Sequence, residues 1–259
     1  MQATSALYRR LMADENHFFE TRVVIGESGN LITENNEQIT FGGWHIVVAR
    51  SNPESGFGEN ILWSVSTNHS MFNNDPEIGQ AIAGEIDIQM LNPSGDIPRM
   101  SVVIPYVRVR TEDEQSEWIQ QGVFYIDTRE VSKNDDNVEL LTLHGFDAML
   151  KAEQAYAETN LNWPAKDIDI VREIAGKMGV SVDQRTVQMM TGNYKLPLPT
   201  NYSMREYFGY IASMYVGCFI MSDIGELRLV SLLELPPDKG YLVDNAGYSI
   251  TFGGTRILV

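Results

Sequence analysis

Two pairs of carboxylates stand at short spacings that acid–base chemistry could use. Glu85 and Asp87 are two residues apart, and Asp127 and Glu130 are three apart, each pair in a strand-like segment. Glycoside hydrolases place two carboxylates on either side of the scissile bond. In a chain with 35 acidic residues, however, such pairs arise by chance. We therefore expect no catalytic residue. The hypothesis of a cell-wall glycoside hydrolase is less favoured than the structural and binding hypotheses described below.

Other residue types that carry chemistry do not form a motif. No glycine-rich phosphate loop, HExxH, CxxC or G-x-S-x-G sequence is present. Cys218, the only cysteine, has apolar flanks, which favours a buried structural thiol over a nucleophile. The histidines are far apart and lack metal-ligand spacing: His17, His45, His69 and His144. We expect no metal site and no cofactor.

A pair of arginines is the remaining candidate for a binding site. Arg108 and Arg110 alternate with two valines in segment 106–110, so both project from one face of a strand. Two arginines can hold a phosphate or a carboxylate. Cross-strand pairing with acids such as Glu85 and Asp87 is the favoured use.

The segments that position these residues are mostly strands up to residue 145. Residues 3–12 form an amphipathic helix at the start of an N-terminal arm. Alternating or continuous apolar runs between Gly-, Pro- and Asn-rich turns then predict strands at 21–25, 44–49, 61–67, 85–90, 101–110, 123–131 and 139–145. A charged turn at 132–137 makes the last two a hairpin. This pattern predicts an antiparallel, barrel-like domain.

Helical patterns follow Gly145. Residues 146–157 favour a helix, Trp163-Pro164 marks a boundary, and a second helix runs from Asp167 to a stop at Gly179. A further short turn or helix is expected within 181–187. These segments form a helical lobe.

Segment 193–230 has the clearest order of elements. A short extended run precedes Ser203, which forms a capping box with Glu206 at the start of an amphipathic helix. Gly217 is expected to end that helix in a left-handed cap. A hairpin then turns at residues 222–225.

The fold class is therefore α+β, mainly β. Strands predicted at 240–243 and 248–252 begin a second β-domain, and the sequence leaves open whether that domain is complete. The sequence stops at Val259 on apolar residues, which indicates either that the chain is cut within a strand or that a neighbouring chain completes the strand. The predicted divisions are the arm at 1–20, the barrel-like domain at 21–145, the helical lobe at 146–218, and the hairpin with the second β-domain at 219–259.

Several sequence segments resemble those of baseplate hub proteins from tailed bacteriophages, prophages and related injection-type particles. They are SEWIQQGVFYIDTRE (116–130), ELLTLHGFDAMLK (139–151), DIVREIAGKMGV (169–180), SMREYFGYIASMYVGCF (203–219) and MSDIGELRLV (221–230). The resemblance implies a virion structural protein without catalysis. Such hubs form trimeric rings in which each subunit offers two barrel-like domains. The ring adapts the tail tube to the central spike, so the implied partners are copies of the chain, the tube protein and the spike protein.

Charge and hydropathy limit the other classes. The net charge of −16 repels phosphate backbones, which argues against specific nucleic-acid binding. The same acids serve solubility, or would line a conduit; the sequence does not say which. No apolar run is long enough for a membrane span, and residues 1–25 lack a signal peptide. We expect synthesis in the bacterial cytoplasm and a final place in the virion tail.

The second hypothesis is a carbohydrate- or receptor-binding β-module of the tail tip. Sugars stack on exposed aromatic rings, and Trp44, Trp63 and Trp118 are the candidates for such a patch. Exposure of these rings on one surface would favour this hypothesis, and burial of all three would count against it.

Overall fold

The computed structural model describes most of residues 4–26 and 53–232. Within the second range it leaves out 73–74, 76, 94–96, 134–136, 157–158, 191–193 and 199. Outside these ranges it describes the backbone of short strands at Gly29–Asn30, Thr40–Phe41, Trp44–His45, Val47–Val48, Thr251–Phe252 and Thr255–Arg256.

The largest single element of the described chain is an antiparallel sheet of seven strands. Its strands are β1 (Phe18–Gly26), β2 (Leu62–Asn68), β3 (Glu85–Leu91), β4 (Val102–Arg110), β5 (Ile119–Gln120), β6 (Phe124–Lys133) and β7 (Glu139–Asp147). Their order is β1-β4-β6-β7-β3-β2, with β5 paired to β4. The predicted hairpin is confirmed as β6 and β7, and the predicted strand at 85–90 is confirmed as β3. The mainly β character is therefore confirmed.

One apolar core covers the inner face of this sheet. On β3 the side chains alternate, with every second one buried, as the sequence pattern predicts. The core draws side chains from β1, β3, β4, β6 and β7 together with Ile97, namely Val23, Ile86, Ile88, Met90, Val103, Phe124, Ile126, Leu141 and Leu143. Because the first strand and the second-to-last strand of the order share this core, the sheet curls around it.

Strand pairing does not close the sheet into a barrel within the described residues. The terminal strands of the order are β1 and β2. Among the described residues, β1 does not pair with β2 itself. Val23 of β1 instead forms two backbone hydrogen bonds, of 2.9 and 2.8 Å, with Phe57 in the segment that precedes β2. The expected barrel-like domain is thus a curled, open sheet.

The helical lobe has its own core. Its elements are the 3₁₀ helix Ala148–Glu153, β8 (Ala165–Lys166), α2 (Asp167–Met178), α3 (Gln184–Met189), β9 (Lys195–Leu196), α4 (Met204–Met214), β10 (Gly217–Met221) and β11 (Leu227–Ser231). A short helix α1 (Ala6–Met12) precedes the sheet, and a 3₁₀ turn lies at Pro53–Ser55. The predicted stop of α2 is confirmed, because Gly179 is left-handed (φ 76°). Ser203 and Glu206 form the predicted capping box at the start of α4.

Two local predictions are wrong. Residues 146–157 do not start a helix: β7 continues to Asp147 because Phe146 pairs with both Tyr125 and Glu85, and only a 3₁₀ helix follows. Gly217 is not the left-handed cap of α4. Val216 takes the positive φ, and Gly217 begins β10, where a Cβ atom would lie 2.4 Å from the Val230 carbonyl oxygen.

Some predictions lie outside the described residues. They include the strand at 240–243, most of the strand at 248–252 and the side chains of segment 44–49. In the part of the chain that the structure describes, no helix is long and apolar enough to cross a membrane.

Candidate functional site

The carboxylates nominated for hydrolysis lie on the outer side of the sheet. Asp87 is exposed on β3 and its Oδ1 lies 2.9 Å from His144 Nδ1 on β7. Asp127 lies at the irregular point of the β6–β7 pairing and forms an ion pair with the exposed Arg99. Glu130 is exposed further along β6. Asp87 and Asp127 thus each have a basic partner of their own, on strands that β7 separates.

The histidines and the cysteine have ordinary contacts. Among the described residues, no three metal-ligating side chains come together. His17 lies against the Asp14 carbonyl and His69 lies 2.9 Å from the Gln121 carbonyl oxygen, while the side chain of His45 is outside the described residues. Cys218 is buried, as predicted, and its Sγ donates to the Glu77 carbonyl at 3.3 Å.

The arginine pair has a partner that the sequence pattern did not identify. Arg108 binds Glu20 of β1 through Nε at 2.8 Å and Nη2 at 2.7 Å. Arg110 and Arg22 also approach the Glu20 carboxylate, each at 3.4 Å. The predicted pairing with Glu85 and Asp87 is wrong, because β4 pairs with β1, β5 and β6 while β3 pairs with β7 and β2.

An indole and a second carboxylate complete this arginine cluster, which we define as Glu20, Arg22, Glu54, Arg108, Arg110 and Trp118. The guanidinium of Arg108 lies 4.2 Å from the centre of the Trp118 ring. Trp118 Nε1 donates to Glu54 at 2.8 Å. Trp118 is thus occupied by the cluster, whereas Trp63 on β2 is 56% exposed. Trp63 and Trp118, the two candidate tryptophans whose side chains are described, therefore do not form a shared sugar-binding patch.

The charges of the cluster set the ionisation of its central acid. Burial acts to raise the pKa of Glu20, but Arg108, Arg22 and Arg110 together outweigh burial and hold the pKa of this carboxyl below its usual value. Glu20 is consequently ionised at neutral pH. It ties β1 to β4 through charged hydrogen bonds that are shielded from water.

The N-terminal helix is fastened close to this cluster. Glu117 accepts hydrogen bonds from the Ser5 amide and hydroxyl at 2.8 and 2.7 Å, and these bonds lower the pKa of Glu117. Arg10 binds both oxygens of Glu114 at 2.7 and 2.8 Å. Leu11 is the buried residue of the helix. The arm is therefore held mainly by polar contacts to the segment between β4 and β5.

Asp147 lies where the sheet meets the lobe. Its Oδ2 accepts from the Gly84 amide at 2.6 Å and its Oδ1 accepts from the Met149 amide at 2.8 Å. Burial raises the pKa of Asp147 to about 6, although these amides and the charges of His69 and Arg205 act in the opposite direction. One buried carboxyl thus connects the entry to β3, the end of β7 and the first turn of the lobe.

The raised pKa of Asp147 predicts a pH-dependent contribution to stability. The protonated carboxyl is favoured in the folded state, so this contribution is complete below about pH 3.8 and is lost as the pH rises through about 6. A shift of this size corresponds to roughly 3 kcal/mol. We expect the free energy of unfolding of the wild type, relative to that of Asp147→Asn, to fall by about this amount between pH 4 and pH 7.

Urea titrations of both proteins at several pH values measure this effect. Taking the difference between them removes the opposite contributions of Glu20, Glu173 and Asp183, whose pKa values are lowered. A difference that stays constant over this range would contradict the prediction.

The outer half of the β6–β7 hairpin is an exposed edge of the sheet. β4 pairs with β6 only at Phe124 and Tyr125. Beyond them, residues 128–133 of β6 are all exposed, and Val131 is among the exposed large apolar residues. An exposed strand edge with an apolar side chain is a template for association with another chain.

The chain is similar to several solved structures, although no family model and no curated protein matches it. A 43 kDa tail protein of prophage MuSo2 from Shewanella oneidensis is 12% identical, with a TM-score of 0.48 over 86% of this chain and 59% of that protein. A tail protein from Neisseria meningitidis MC58 is 13% identical, with a TM-score of 0.42 over 83% of this chain and 51% of that protein.

A Francisella PdpA-VgrG complex contains a third similar chain. It is 8% identical, with a TM-score of 0.42 over 83% of this chain and 31% of that one. The chain thus spans about half the length of the two tail proteins and less of the third. Two of these three similar structures are tail proteins of prophage or bacterial origin.

Proposed function

We propose that this chain is a structural subunit of a phage or prophage tail baseplate hub. The order of elements across residues 116–230 is the observation that carries this proposal. Two of the segments that resemble hub proteins, at 116–130 and 139–151, overlap the paired strands β6 and β7. The later segments overlap α2, α4 and the hairpin of β10 and β11, in the expected order.

The subunit would act by burying surface against its neighbours, without making or breaking bonds. Three copies would form a ring that adapts the tail tube to the spike protein, in the virion tail. The divisions at 1–20, 21–145, 146–218 and 219–259 belong to the same proposal. The exposed edge of β6 supports it, because an edge strand offers backbone hydrogen bonds to another subunit.

The solution mass tests self-assembly. Light scattering coupled to size exclusion, over a range of micromolar concentrations, should give a mass near three times 29.2 kDa. A species of 29.2 kDa at every concentration would contradict assembly of this chain by itself.

A matched pair of variants locates the contact. Val131→Glu places a charge on the exposed edge of β6 and should return the trimer to monomers. Ile224→Glu changes another exposed apolar residue, in the turn between β10 and β11, and should leave the trimer intact. A trimer that survives Val131→Glu would assign the contact to another surface.

The carbohydrate-binding β-module remains the alternative. Of the three candidate tryptophans, Trp63 favours it by its exposure, Trp118 is held by Arg108 and Glu54, and the side chain of Trp44 lies outside the described residues.

A further inference from the structure

A cleft on the helical lobe has a volume of about 410 Å³ and lies between residues 79–82 and α4. Its floor is a close contact between two glycines. A Cβ atom on Gly209 would lie 2.6 Å from the Gly79 carbonyl oxygen, and one on Gly79 would lie 2.0 Å from Ser213 Oγ. Gly79 also has a positive φ of 80°, which glycine adopts readily. The two glycines thus let the backbone at Gly79 approach α4 closely along this side of the cleft.

A pair of tyrosines stands at the rim of this cleft. Tyr210 lines the cleft and is 53% exposed. Its ring meets the Tyr202 ring edge to face, with the centres 5.1 Å apart. The neighbouring Tyr202 hydroxyl raises the pKa of Tyr210. The Tyr210 ring is therefore exposed and yet held by a neighbour, so little conformational entropy would be lost on stacking against a ligand.

Polar side chains with fixed positions surround the ring. Glu206 is held by the capping box, with Oε2 accepting from the Ser203 amide at 2.7 Å. Arg205 is held by Glu153 at 2.7 Å, and Ser213 Oγ donates to the Gly209 carbonyl at 2.9 Å. Together with Gln80, the cleft presents amide, carboxylate, guanidinium and hydroxyl groups beside one aromatic face.

The charge around the cleft limits the ligand class. Glu206 lines it, and Arg205, its basic residue, is paired with Glu153. The chain as a whole carries a net charge of −16, so an anionic ligand would be repelled. A purely apolar ligand would displace water from these polar groups without replacing the hydrogen bonds that water makes to them. A neutral polyol fits both limits, because its hydroxyl groups donate and accept while its C–H face contacts an aromatic ring.

We propose that this cleft binds a neutral saccharide, with the Tyr210 ring stacked on one sugar ring and with Gln80, Glu206 and Ser213 hydrogen-bonded to its hydroxyl groups. The site lies within a single subunit. Its lining residues therefore need no partner chain, and the site uses none of the tryptophans considered for a sugar patch.

Titration with two neutral oligosaccharides, triacetylchitotriose and maltotriose, tests the proposal. Amide chemical shifts followed by NMR should change saturably for at least one of them, at residues 79–82 and along α4. Tyr210→Ala should weaken binding by about tenfold, through the loss of one aromatic contact. Tyr210→Phe keeps the ring and should stay within about threefold of the wild type.

The matched control is Tyr194→Ala, which removes another tyrosine of the lobe that is 47% exposed and does not line the cleft. It should leave the affinity unchanged. If the chemical shift changes do not saturate for either sugar up to about 20 mM, the Kd values lie far above the millimolar range of weak binding and the proposal is overturned. It is also overturned if Tyr210→Ala binds as the wild type does, or if an uncharged peptide shifts the same amides and the sugars do not.

Discussion

Replacing Glu20 by glutamine is expected to lower the free energy of unfolding by about 3 to 5 kcal/mol, the usual cost of removing one partner from a buried ion pair. Arg108 is almost fully buried and would lose its two charged hydrogen bonds to Glu20. The amide that replaces the carboxylate cannot balance three nearby guanidinium groups. Urea unfolding at pH 7 measures the change.

The matched control for Glu20→Gln is Glu114→Gln. Glu114 also binds an arginine, Arg10, but both side chains are exposed. Exposed ion pairs contribute about 0 to 1 kcal/mol. Equal losses in the two variants would show that burial of the cluster does not govern its stability, contrary to the prediction.

Truncation of Phe208 to alanine should cost about 3 to 5 kcal/mol, because a buried aromatic ring would be replaced by a cavity. Phe208 has 0% exposure, and its ring centre lies 4.8 Å from that of Phe219. It links α4 to β10 inside the core of the lobe. The midpoint of a urea titration should fall without a change in its slope.

Phe19→Ala provides the comparison for Phe208→Ala. Phe19 is 48% exposed on β1, and its truncation should change stability by about 0.5 kcal/mol or less. A small effect at Phe208 would mean that the core of the lobe relaxes into the space left by the ring, which would overturn the prediction.

Local sequence patterns predicted the features that depend on neighbouring residues. The alternation at 85–90 requires one wet and one buried face, and β3 has both. Ser203 and Glu206 are three residues apart, so their capping box needs no distant partner. The hairpin of β6 and β7 is joined by a short charged turn, and its pairing was predicted for the same reason.

Features that depend on distant residues were not predicted. Alternation shows that Arg108 and Arg110 share a face, but it does not show which strand lies beside them, and so Glu20 was missed. The one sequence signal for this ion pair was the alternation of Glu20 with Arg22 at the start of a strand-like segment. Asp147 was missed because its role depends on the Gly84 amide, which belongs to a separate part of the chain.

The cleft on the lobe was missed for a similar reason. Gly79 lies in a turn-rich stretch and Gly209 lies within a helix, and neither position indicates contact with the other. Only the fold brings the two backbones together.

The pairing of β1 with β4 has a consequence for synthesis of the protein. Phe18 pairs with Arg110 and Gly26 with Val102, so β1 leaves the ribosome long before its partner does. At about 5 to 20 residues per second, this delay is on the order of 5 to 20 seconds. During that time the apolar side chains of β1 have no sheet to join. The order of synthesis therefore leaves β1 without its sheet partner until β4 has been made.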